Sequence, residues 1–121
     1  MMHPTAIILD SDQNQRDEIR SRLSRCGVLP IGFQDEWICL ENIHHIKPGF
    51  AVLRTDSSER ASKFVNLTRA IRSNFPVIVL SKKNSVERFI RNNWLVNLIF
   101  LRYPADDKEF QQAIDLLADA K

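Results

Sequence analysis

The sequence predicts a doubly wound α/β domain, a five-stranded parallel sheet with helices on both faces. Three observations carry this. Short apolar runs alternate with amphipathic segments along the whole chain, as strands and crossover helices do in a parallel sheet. The run PVIVL at Pro76–Leu80 is continuously apolar and rich in β-branched residues, the mark of a strand buried on both faces. The 121 residues suit one domain of ordinary size.

In chain order, Thr5–Asp10 (TAIILD) reads as the first strand. Asn14–Arg25 carries Ile19 and Leu23 four apart amid Arg and Glu, as an amphipathic helix does. Gly27 follows where a helix stop belongs. Val28–Phe33 is a second strand; its Pro30 cannot donate to a ladder, which places it at a sheet edge. Glu36–His44 puts Trp37, Leu40 and Ile43 on one helical face. Pro48-Gly49 precedes a third strand, Phe50–Leu53, and Ser62–Arg72 follows as a helix with Phe64, Leu67, Thr68 and Ile71 along a stripe. After the fourth strand, Asn84–Asn92 is a short helix bearing Val86, Phe89 and Ile90. Leu98–Leu101 is the fifth strand, and Ala105–Ala118 the last helix, with Phe110, Ala113, Ile114 and Leu117 inward. Right-handed crossovers between five such strands give the flavodoxin-like order 2-1-3-4-5.

Composition excludes several classes. Hydrophobic residues are 44% and charged residues 26%, as in a globular protein. Seventeen Lys and Arg against fifteen Asp and Glu leave a net charge of +2, too small an excess for a nucleic-acid surface. No apolar run approaches the ~20 residues that span a bilayer. Two cysteines, Cys26 and Cys39, make neither a disulfide framework nor a four-ligand zinc site. The expectation is a cytoplasmic domain with reduced thiols.

In such sheets, ligands bind beyond the carboxyl ends of the strands. The residues there are Asp10, Ser11 and Asp12 after strand one, Arg54, Thr55 and Asp56 after strand three, Ser81 after strand four, and Arg102, Tyr103 and Pro104 after strand five. No glycine-rich phosphate loop follows any strand, which argues against a nucleotide enzyme. No Ser/His/Asp set converges, since His3, His44 and His45 fall elsewhere.

Through "AIILDSDQNQRDEI", "KPGFAVL", "PVIVLS" and the Tyr103-Pro104 step, nearly the whole chain resembles the receiver domains of bacterial response regulators. The resemblance implies the CheY-like version of this fold. Receivers hold Mg²⁺ with paired acids after strand one. They accept a phosphoryl group on an Asp after strand three, and place a Ser or Thr after strand four and a Lys before the strand-five proline. Asp10 matches the first acid, Ser11 replaces the second, Ser81 matches the hydroxyl residue and Tyr103 replaces the Lys. Phe100 falls where many receivers carry a switching aromatic.

Two counts compete for the acceptor. Forward from Pro48, the position is Arg54; backward from Ile71-Arg72, it is Asp56. The second count pushes Arg54 into the sheet interior, where an unpaired guanidinium is costly. A small loop insertion is cheap by comparison, so Arg54 is placed at the acceptor position. With Ser11, Arg54 and Tyr103 in place, the cation site loses carboxylates and the phosphate loses a point charge. A pseudo-receiver follows, with no cofactor, no metal and no enzymatic activity expected. The rival reading is an active phospho-receiver using Asp56.

The degenerate pattern is similar to the N-terminal domain of FleQ-type flagellar regulators, activators of sigma-54 RNA polymerase. The shared features are the strand-one acid, the missing acceptor, a short fourth helix and Leu101-Arg102-Tyr103-Pro104. That resemblance implies that residues 1–121 are the N-terminal part of a longer regulator with ATPase and DNA-binding domains downstream. It also implies regulation through protein contacts, without nucleic acid or membrane. Receivers commonly dimerise through helix four, strand five and helix five, where Phe89, Trp94, Phe100, Tyr103 and Phe110 lie, so a homodimer is expected.

Plainer roles compete at each residue. Asp10 and Asp12 suit a turn and a helix cap, and Ser81 suits a hydrogen bond at a helix start. Arg54 either extends to solvent or pairs with Asp10 or Asp12. Phe100 is the kind of strand residue that a parallel sheet buries. Trp94 suits packing against helix four, and Lys82-Lys83 and His44-His45 suit solvated surface.

Overall fold

The structure is a computed structural model and describes residues 4–93 and 97–119. Five strands alternate with five helices: β1 (Thr5–Leu9), α1 (Gln13–Arg25), β2 (Leu29–Phe33), α2 (Glu36–Ile46), β3 (Phe50–Arg54), α3 (Ser58–Ile71), β4 (Val77–Ser81), α4 (Asn84–Asn92), β5 (Leu98–Arg102) and α5 (Asp107–Asp119). All strand pairs are parallel, in the order β2-β1-β3-β4-β5. Among the described residues, no helix is long and apolar enough to cross a membrane.

The period-two alternation of strand side chains splits the core into two layers. Ile7, Leu9, Ala51, Leu53, Val77 and Val79 face α2, α3 and α4. Ala6, Ile8, Phe50, Val52, Ile78 and Leu80 face α1 and α5. Each layer has a large aromatic at its centre, Phe64 in the first and Phe110 in the second, both fully buried. Burying each contributes about 2–3 kcal/mol. β2, with Pro30, pairs only with β1 and forms a sheet edge, as its proline requires.

Helices α1, α2 and α3 start on side-chain caps. Asp12 caps α1, its carboxylate accepting the Gln15 N–H; Asp35 caps α2 through Ile38 N–H; and Ser57 caps α3 through Arg60 N–H. α1 ends at Arg25 and is followed, after Cys26, by Gly27, whose φ of 79° suits a residue without Cβ. A Cβ on Gly32 would lie 3.0 Å from Arg16 Cδ. The missing side chain therefore lets Arg16 cross β2 and donate to the Asp10 carbonyl at 2.8 Å.

Three expectations need correction. α3 begins at Ser58, four residues before the apolar stripe, because the Ser57 cap starts it earlier and Ala61 packs in the core. Trp37 does not turn inward with Leu40 and Ile43 but stays 61% exposed in the first turn of α2. Lys63 of α3 sits over its ring at 5.6 Å. Ile71, expected on the inner stripe of α3, ends 42% exposed at the last turn.

Candidate functional site

The carboxyl ends of β1, β3, β4 and β5 gather a polar cluster at one end of the sheet. β1 and β3 are neighbours, with Leu9 opposite Leu53. β3 and β4 are neighbours, with Arg54 opposite Leu80. β4 and β5 are neighbours, with Ser81 opposite Arg102. Adjacent strand ends therefore deliver Asp10, Arg54, Asp56, Ser81 and Tyr103 to one side-chain cluster.

Arg54 is the last residue of β3, and its side chain is only 7% exposed. Its guanidinium takes both carboxylate oxygens of Asp56, Nη1 to Oδ1 at 2.8 Å and Nη2 to Oδ2 at 3.2 Å. The fork geometry matches the carboxylate, which makes the pair a strong one. Tyr103 stacks its ring on the guanidinium, 4.4 Å from ring centre to Cζ, and Lys82 Nζ lies 5.5 Å from the same ring centre. The Tyr103 hydroxyl reaches Glu18 at 3.4 Å. The pairing of Arg54 with Asp10 or Asp12 expected from sequence is thus replaced by pairing with Asp56. Residues two apart on an extended chain share a side, so Asp56 meets the guanidinium without any loop having to move.

Asp56 gathers further donors. Ser81 Oγ–H donates to Oδ1 at 2.9 Å, and the Lys82 backbone N–H does so at 2.9 Å. Ser81 is fully buried and its Oγ also accepts the Lys83 N–H at 3.0 Å. The helix-start role and the pocket role of Ser81 therefore coexist. The Arg54 hydrogen bonds, with smaller help from Lys82 and Ser81, hold the Asp56 carboxyl well below the usual carboxylate range.

Asp10 is 4% exposed. One oxygen accepts the Asp12 N–H at 2.9 Å, and Oδ2 has no hydrogen-bond partner among the described residues. Burial pushes its carboxyl up, with the Asp12 hydrogen bond and the Arg54 charge opposing. Arg54 Nε is also buried without a hydrogen-bond partner among the described residues. Ser11 is exposed, and Asp12 spends an oxygen on the α1 cap.

A divalent cation of the kind receivers hold needs several oxygen ligands, usually carboxylates. The residues present do not fit it. Asp10 offers one free oxygen, Ser11 stands where a second acid would, and Asp56 is committed to Arg54. The guanidinium adds a positive charge beside the remaining carboxylate.

On the β5 side, Phe110 is 1% exposed and belongs to the core, so it cannot contribute to an interface. Phe89 and Phe100 pack, partly buried, against the core layer of α2, α3 and α4. Tyr103 is partly buried against the other layer, under Arg54. Trp94 lies outside the described residues. Among the described residues, the exposed large apolar side chains are Trp37 and Ile38 on α2, Ile71 on α3, Leu29 on β2 and Leu116 on α5.

Sequence reasoning missed three participants in the pocket: the Lys82 N–H, Arg16 beneath Asp10, and Glu18 at the Tyr103 hydroxyl. A backbone N–H has no signature in a side-chain pattern. Gly32 in the edge strand was the available clue to the passage of Arg16.

The strand order, helix placement and carboxyl-end pocket define the CheY-like fold of response-regulator receiver domains. Chemotaxis protein CheY4 of Vibrio cholerae superposes with a TM-score of 0.78 at 14% identity, over 96% of this chain and 99% of that one. A response regulator receiver protein from Sinorhizobium medicae WSM419 gives 0.77 at 17% identity, over 98% of both chains. Full-length FixJ from B. japonicum gives 0.78 at 19% identity, over 100% of this chain and 61% of that one. The sequence matches no protein-family model and no curated protein.

Proposed function

We propose that the chain is a receiver-like regulatory domain that works without phosphorylation, within a bacterial transcription regulator of the sigma-54-activating, flagellar type. The observation that carries this reading is the Arg54–Asp56 pair: a buried guanidinium ends β3 where an acceptor aspartate is expected, and it occupies the nearest carboxylate. The site then holds its own ion pair at the end of β3, hydrogen-bonded to the end of β4 through Ser81 and the Lys82 N–H. Regulation passes through contacts with further copies and with ATPase and DNA-binding domains of the same regulator in the cytoplasm. The domain contributes no enzymatic step.

The test is a titration with Mg²⁺ and beryllofluoride, followed by amide NMR shifts of the wild type. No saturable shift at Arg54, Asp56 or Ser81 is expected. Saturable, Mg²⁺-dependent shifts there would contradict the reading.

A further inference from the structure

Three donors from two neighbouring strand ends converge on one oxygen of Asp56. Arg54 Nη1 approaches Oδ1 at 2.8 Å, Ser81 Oγ at 2.9 Å and the Lys82 N–H at 2.9 Å, while Arg54 Nη2 takes Oδ2 at 3.2 Å. These donors are positioned independently of Asp56. Ser81 ends the fully buried β4 and is tied to the Lys83 N–H. Arg54 is fixed by its place at the end of β3 and by the Tyr103 ring. A hydroxyl, a backbone N–H and a guanidinium aimed at one point make a cradle for a negatively charged oxygen. Arg54 also keeps a buried Nε–H that the carboxylate leaves without a partner, so the donor set exceeds what one carboxylate uses.

We propose that the junction of β3 and β4 is a binding site for a small oxyanion, and that the chain's own Asp56 carboxylate fills it as a tethered ligand. The proposal deepens the phosphate-free reading and rests on it for the meaning of the occupied state. A carboxylate two residues from Arg54 and hydrogen-bonded to the turn at 81–83 keeps that turn joined to the end of β3 at all times. A tethered ligand also competes at a high effective concentration, so free anions at millimolar levels do not enter the native site. Without Asp56, the same donors accept a free carboxylate or a phosphate.

The experiment compares wild type with Asp56→Gly, which removes the equivalent of an acetate from the cradle. Each is titrated with sodium acetate and, separately, with inorganic phosphate, against sodium chloride at matched ionic strength and without Mg²⁺. The readouts are the Ser81 and Lys82 amide shifts and Tm. In Asp56→Gly, at least one oxyanion gives saturable shifts at both amides, with Tm raised by roughly 4 °C at ten times Kd. Asp56→Gly combined with Ser81→Ala binds about tenfold more weakly, as loss of one charge-assisted hydrogen bond predicts. Wild type shows neither response.

Saturation by acetate alone marks a carboxylate-sized site, and saturation by phosphate marks one that uses the spare donor; both support the proposal. Wild type responding like the variant, or no saturation in the variant at about 100 mM, overturns it, since a cradle of millimolar affinity would then be filled. If Asp56→Gly does not fold in chloride, recovery of folding in acetate or phosphate supports the proposal. If it folds in neither, Asp56→Ser is read by the same criteria. Because no phosphodonor or Mg²⁺ is present, the outcome is separate from whether the wild type resists phosphorylation.

Discussion

Arg54 and Asp56, two residues apart, face each other through two hydrogen bonds of 2.8 and 3.2 Å at the end of β3. The arrangement settles where a buried guanidinium can sit at a strand end. One face carries the Tyr103 ring, and the fork is closed by a carboxylate that Ser81 and Lys82 hold from β4. The pair thereby links β3, β4 and β5 at the edge where such sheets bind ligands.

Arg54→Ala should destabilise the domain by about 1–2 kcal/mol, because Asp56 loses its strongest partner while remaining 35% exposed to water. Arg54→Lys should recover only part of this, since an ammonium cannot form the two-pronged contact. Urea denaturation of the three proteins checks both statements. Equal stability of wild type and Arg54→Ala would show that the pair contributes nothing.

The two acids Asp10 and Asp56 should respond to pH in opposite senses. Asp56 has a folded-state pKa below its unfolded value of ~3.9, so its stabilisation is complete above about pH 4. It is lost as pH falls from there through the folded-state pKa. The destabilisation in Asp56→Asn should therefore shrink in acid.

Asp10 has a folded-state pKa above its unfolded value, so its charge costs stability at neutral pH. That cost fades as pH falls through the raised pKa and is gone below ~3.9. Asp10→Asn keeps the oxygen that accepts the Asp12 N–H and should be more stable than wild type at pH 7, with the gain disappearing near about pH 3.5. Denaturation series at the two pH values check the sign for each residue.

At Tyr103 the ring matters more than the hydroxyl. The contact with Glu18 is long, at 3.4 Å, whereas the ring lies 4.4 Å from the Arg54 Cζ. Tyr103→Phe should change stability by less than about 0.5 kcal/mol. Tyr103→Ala should cost about 2 kcal/mol through lost packing and cation–π contact. Thermal denaturation of both variants separates the contributions.

The proposed self-association has a direct hydrodynamic consequence. A constitutive dimer through the α4–β5–α5 side should weaken with Leu116→Ser, a 61% exposed residue on α5, and not with Trp37→Ser on α2. Sedimentation equilibrium decides. A wild-type monomer at high concentration, or a dimer lost with Trp37→Ser, would remove this face from the account.

The alternation of apolar runs and amphipathic segments was enough to read the number of strands and helices, because burial dictates it, and the right-handed crossover rule supplied the strand order. α4 falls at Asn84–Asn92 as read, with Val86 and Ile90 inward. Periodicity says which residues share a face but not where a helix overhangs its neighbours, so Trp37 and Ile71 share the spacing of the inner stripe yet stay exposed. Part of the site's arrangement was legible as well: the ends of β3, β4 and β5 bring Arg54 against Tyr103, and Ser81 onto the carboxylate that Arg54 holds. The partner of Arg54 was not legible. It depends on which of several nearby carboxylates faces the guanidinium, and Asp56, two residues along the chain from Arg54, is the one that does.

The most direct test of the central claim is intact mass after incubation of the wild-type domain with acetyl phosphate, with and without Mg²⁺. The Arg54–Asp56 pair predicts no Mg²⁺-dependent gain of a phosphoryl group. A Mg²⁺-dependent gain that disappears in Asp56→Asn would contradict the account, because Asp56 would then be an acceptor rather than the closed partner of Arg54.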